Sequence, residues 1–89
     1  MPEVTKNVIE GKHFYAYGPR GIHIIDVSND EMTQKCFRVD DKFDRHTHLI
    51  DIFPRSKSFL AVFKLENNLI LSQVEIGTLE NKVLTNIDF

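Results

Sequence analysis

The feature that most constrains this chain is its punctuation. Short runs of β-branched, aromatic and aliphatic residues are broken repeatedly by Gly, Pro, Asn and Asp. Phe59 to Leu65 is the clearest run: Phe59, Ala61, Phe63 and Leu65 fall on one face, Leu60, Val62 and Lys64 on the other. A period of two is that of a strand, whose successive side chains point to opposite faces. No long stretch carries apolar residues at the i, i+3, i+4, i+7 spacing of an amphipathic helix without β-branched or turn residues among them. The chain therefore reads as all-β.

Strands are expected over 4–10, 13–17, 22–27, 32–39, 48–53, 59–65, 69–76 and 82–89. In Gly18-Pro19-Arg20-Gly21 the proline presets φ and the flanking glycines tolerate positive φ, so 13–17 and 22–27 should form a hairpin. Pro54 to Lys57, Glu66-Asn67-Asn68 and the segment from Gly77 to Asn81 supply further turns. A short helix capped by Asp30 competes with the strand at 32–39, and Thr33 and the Phe-Arg-Val run that follows weigh against it. The polar stretch from Asp40 to Thr47 reads as a loop. About seven or eight short strands with short turns suggest a small antiparallel meander, closing as a barrel or folding over as a sandwich. With 89 residues there is room for one β domain, 1–89. Seven Phe and two Tyr should supply much of its core.

Composition narrows the function classes. Eleven Lys and Arg against 13 Asp and Glu give a net charge of −2, so no basic excess points to nucleic acid. One cysteine, Cys36, excludes an internal disulfide and a Cys-rich zinc site. That usage favours a reducing compartment, most simply the cytoplasm. Cys36 itself is expected as a small buried residue on a strand. The first residues, Met1 to Lys6, lack the apolar core of a secretory signal. No apolar run approaches the ~20 residues of a membrane helix, so no membrane partner is expected.

Two segments can be laid over one another. His13-Phe14-Tyr15-Ala16-Tyr17 matches Ser58-Phe59-Leu60-Ala61-Val62 in pattern at an offset of 45. After a turn that reads as two residues longer, Ile22, Ile24 and Val27 match Leu69, Leu71 and Val74 at 47. Propeller blades repeat at ~40–50 residues. The run from Tyr15 to Asn29, with Ile24-Ile25-Asp26-Val27-Ser28 at its end, resembles a blade hairpin of the LVIVD-repeat β-propellers. The second segment lacks the Asp-Val-Ser run. The resemblance implies a binding scaffold with no fixed catalytic set, one that assembles or belongs to a larger ring.

Several constellations could carry chemistry. His46 and His48 would point to one face of an extended segment and could share a divalent metal, with Asp44, Asp51, His23 or His13 as third ligand. Zinc held that way, with an open water position, would support hydrolysis. Asp40, Asp41 and Asp44 lack the EF-hand spacing, and Lys42 and Arg45 sit among them. Arg20, Arg38, Lys42, Arg45, Arg55 and Lys57, with Tyr15, Tyr17, Phe43 and Phe53 nearby, could pair phosphates and stack bases of a single strand. Arg20, at a turn tip, is the kind of residue that anchors a partner. No nucleophile motif is present.

These features predict a non-catalytic protein-binding or assembly module, adaptor or inhibitor in type and self-associating, with no cofactor. Its candidate binding residues are Arg20, Phe43, Arg45 and Arg55. The alternatives are a small-molecule- or metal-binding barrel enzyme centred on His46 and His48, and a barrel that binds single-stranded nucleic acid.

Overall fold

The computed structural model describes residues 6–28 and 33–88. Its elements run in the order β1 (Lys6–Glu10), β2 (His13–Gly18), β3 (Gly21–Asp26), β4 (Gln34–Arg38), α1 (Val39–Lys42), β5 (His48–Pro54), β6 (Ser58–Leu65), β7 (Asn68–Glu75) and β8 (Asn81–Asp88). The strands form two antiparallel four-stranded sheets, ordered β1-β2-β3-β4 and β5-β6-β7-β8. Each is a meander, and no pairing among the described strands joins one sheet to the other. The single closed meander expected as one option is therefore absent: the described strands close no barrel.

The expected strand starts Val4 and Met32, and the helix cap Asp30, lie outside the described residues. Gln34–Arg38 is a strand, as its β-branched and aromatic surroundings demand, and Phe37 turns inward from it. The stretch from Asp40 to Thr47 is not all loop. It opens with one helical turn, α1, in which Phe43 N–H donates to Val39 O at 2.9 Å. Val39 is fully buried there, and Asp40 and Asp41 occupy the end of the turn where negative charge is favoured.

Period two decides the core. In β6, Phe59, Ala61 and Phe63 are completely buried, and Leu65 packs against them. The first sheet answers with Tyr15, Tyr17, Ile22, Ile24 and Phe37. Aromatic contacts stitch the sheets together: Tyr15 meets Phe59 edge-on at 5.7 Å, and Phe37 lies 6.5 Å from Phe59 and 6.3 Å from Phe63. The two edge-to-face pairs, Tyr15–Phe59 and Phe37–Phe59, are each worth about 1 kcal/mol beyond area burial. Ser72 sits in the middle of the buried face of β7, and its hydroxyl is satisfied by donating to Lys82 O at 3.1 Å. Bulges between Leu49 and Asp51 and between Leu71 and Ser72 interrupt the ladders of β5 and β8. The first of them leaves Ile50 exposed.

The central hairpins of the two sheets correspond in register. Gly18 pairs with Gly21 and Leu65 with Asn68, so both hairpins have tips of two residues. A single shift of 47 residues carries the Tyr15–Ile24 pair onto Val62–Leu71 and the Phe14–Ile25 pair onto Ala61–Ser72. The overlay read from sequence assigned 45 to the first strand. It placed Asn68 in the turn, whereas Asn68 pairs with Leu65 in the ladder.

Candidate functional site

At one end of the molecule the Gly18-Pro19-Arg20-Gly21 turn is gripped from both sides by the connection between the sheets. Val39 N–H donates to Arg20 O and Leu49 N–H to Pro19 O, each at 3.0 Å. The Arg20 guanidinium donates to Thr47 O, approaches His48 Nδ1 at 3.3 Å and pairs with the Asp40 carboxylate. Asp40 is well exposed, so the ion pair itself is worth about 0–1 kcal/mol. The value of Arg20 lies in tying β2–β3 to the chain that enters β5. Beside it the Tyr17 hydroxyl donates to Asp51 Oδ1 at 3.1 Å. Burial first, and the Asp51 hydrogen bond and charge second, raise Tyr17 above its ordinary pKa of 10.0.

The expected binding residues do not form one patch. Arg20 is spent within the chain. Phe43 is half-buried, its ring 4.4 Å from Phe63. Arg45 is exposed on the inter-sheet connection, and Arg55 is exposed beyond the far end of β5. That strand has seven residues, about 20 Å at ~3.3 Å per residue, so Arg20, beside its start, and Arg55, beyond its end, do not share a patch. His46 and His48 are both exposed. His48 faces Arg20, while His46 N–H donates to Asp44 Oδ1 at 2.8 Å. Among the described residues no group of three or more His, Cys, Asp or Glu side chains comes together to hold a metal ion. Tyr15 and Tyr17 belong to the core, so neither offers a ring for base stacking.

Cys36 lies on β4 but is exposed, contrary to the expectation of burial. Phe37 takes the inward position, so parity sends Cys36 out, where it pairs across the ladder with His23. Its Sγ is 4.0 Å from His23 Nε2. A cleft of about 150 Å³ opens between the sheets at the end away from Arg20, lined by His13, Asp26 and Lys35 among others. Lys35 is committed there to Ile76 O and Gly77 O. Asp26 is held below the ordinary 3.8 chiefly by hydrogen bonds from the side chain and backbone of Ser28. Two wider recesses share His13 with it, one of about 480 Å³ beside Lys12, Asp26 and Lys57 and one of about 360 Å³ beside Ser56, Glu75 and Ile76, both within the ~300–1,000 Å³ typical of ligand pockets.

Comparison with known protein families, curated proteins and solved structures gives no match.

The sheet faces that point away from the core are the larger feature. On the first sheet, Ile9 pairs with Phe14 and Phe14 with Ile25, an apolar row facing outward. On the second, Phe53 pairs with Leu60, Val62 with Leu71, and Leu69 with Ile87. Ile9 is 65% exposed, Phe53 52% and Ile87 48%. Neither row was singled out from sequence. The signal was present in Leu60 and Val62, which alternate with the core residues of β6 yet are themselves apolar. Among the described residues no helix is long and apolar enough to cross a membrane.

Proposed function

We propose that this chain is a non-catalytic protein-binding or assembly module, of adaptor or inhibitor type, that associates with itself in the cytoplasm. The observation that carries this reading is the pair of outward apolar rows, anchored by Ile9 on one sheet and by Phe53 and Ile87 on the other. A strand that serves a single core alternates apolar with polar residues, whereas these strands are apolar on both faces. Contiguous exposed apolar surface marks interaction sites. The architecture that fits is a two-sheet sandwich, whose outer strands leave unpaired backbone groups as a second route to a partner. The exposed thiol of Cys36 accords with a reducing compartment.

Native mass spectrometry of the purified chain, before and after treatment with a chelator, tests the reading. The expected result is a metal-free protein containing species larger than one chain. A divalent ion that the chelator strips, and that His46→Ala and His48→Ala also remove, would replace the reading with a metal-dependent enzyme. Capture of a single-stranded oligonucleotide with steep salt dependence would replace it with nucleic acid binding.

A further inference from the structure

We infer that copies of this chain associate head to tail, the outward face of the second sheet of one copy covering the outward face of the first sheet of the next. The inference rests on the assembly reading above and specifies its geometry. Its basis is the shift of 47 residues that relates the central hairpins. Tyr15, Ile22 and Ile24 form the inward face of the first sheet. Their register equivalents in the second sheet are Val62, Leu69 and Leu71, which lie on its outward face. The relation also runs the other way. Ala61, Phe63 and Ser72 are completely buried on the inward face of the second sheet. Their equivalents in the first are Phe14, Ala16 and Ile25, which point outward.

The two sheets therefore meet through unlike faces. Had they met through equivalent faces, the contact would be self-complementary and complete. A contact between unlike faces leaves one face of each kind unused, and each unused face corresponds to one the molecule already buries. The apolar character persists: Val62, Leu69 and Leu71 stand where Tyr15, Ile22 and Ile24 stand in the core. Phe14, Ala16 and Ile25 stand where Ala61, Phe63 and Ser72 do. The departures are Lys64, which is exposed, at the Tyr17 position and His23, which is partly buried, at the Ile70 position. The occupant that matches each free face is therefore the opposite free face of a second copy. Such a heterologous contact propagates until it closes as a ring or runs on as a filament.

The test uses one blocking substitution on each face, Ala16→Glu on the first sheet and Leu71→Glu on the second, in the full chain. Native mass spectrometry is read for each variant and for their mixture, with circular dichroism confirming strand content. Wild type should form higher species, and each variant alone should be monomeric. Mixed in equal amounts, the variants should give a one-to-one heterodimer and nothing larger, since one free face of each kind remains. An assembly abolished by one substitution and indifferent to the other is a like-with-like contact and overturns the inference. Assembly unaffected by either substitution overturns it too, while leaving the assembly reading in place through strand edges. Wild type that stays monomeric up to roughly 1 mM, the weak end of specific association, overturns both this inference and self-association.

Discussion

Tyr15 is the most buried tyrosine, and among the described residues its hydroxyl has no hydrogen-bond partner. A buried polar group left unsatisfied costs about 1–3 kcal/mol. Tyr15→Phe keeps the ring against Phe59 and should leave stability equal or raise it by about 1 kcal/mol, read as the urea midpoint. A drop of that size would show that the hydroxyl is solvated or bound in solution. Tyr17 differs because its hydroxyl is engaged with Asp51. Its pKa is raised in the fold, so the stability it contributes is complete below the unfolded value of 10.0 and is lost as pH climbs above that. Unfolding midpoints should fall between about pH 9 and about pH 11, and Tyr17→Phe should flatten part of that fall, the raised pKa of Tyr15 contributing as well. At this scale sequence was an uneven guide. The inward face of Phe59, Ala61 and Phe63 was legible from alternation alone. The roles of Arg20 and Phe43 were not, because an exposed-looking Arg on a turn and a lone Phe in a polar stretch carry no mark of what they pack against.

At the scale of elements, the strands were legible because turn residues bound nearly every run. Turn chemistry was less so. The turn Glu66-Asn67-Asn68 holds two asparagines, the residue type that tolerates a left-handed backbone, yet it is Glu66 that takes φ 54° there. Gly11, at the tip joining β1 to β2, takes φ 57° with open space where a Cβ would sit. These two tips should respond oppositely. Gly11→Ala should destabilise by about 1 kcal/mol, the conformational cost of a side chain in that region. Glu66→Gly should stabilise by about 0.5 kcal/mol, relief of the same cost being partly offset by the freedom glycine adds to the unfolded chain. Thermal melts of both variants beside wild type decide the point. The helical turn of α1 was missed for a physical reason: one turn is too short for periodicity to register, and it is held by Val39 inserting into the core.

At the scale of the whole molecule, the all-β class followed from the sequence, but the partition into two equal meanders did not. Nothing local distinguishes the connection after β4 from a long hairpin loop. What separates the sheets is that β4 and β5 never pair, a long-range fact. The sheets depend on each other through one core, and Phe59 touches both Tyr15 and Phe37 across it. Phe59→Ala should therefore cost about 3–5 kcal/mol, a large part of the stability of a chain this size. Near- and far-ultraviolet circular dichroism should then fall together at a lower temperature, since neither sheet can keep its fold without the other. Strand pairing confined within each sheet also has a consequence for how the chain could be divided. A cut between Phe43 and His46 would sever no ladder hydrogen bond and would leave two intact strand sets held together by side-chain packing, the Arg20 clasp, the Leu49 N–H bond to Pro19 O, the Tyr17–Asp51 bond and the Lys35 bonds to Ile76 O and Gly77 O. Two such peptides, made separately, should be unstructured alone and should fold on mixing, which would make the protein a natural pair of complementing fragments.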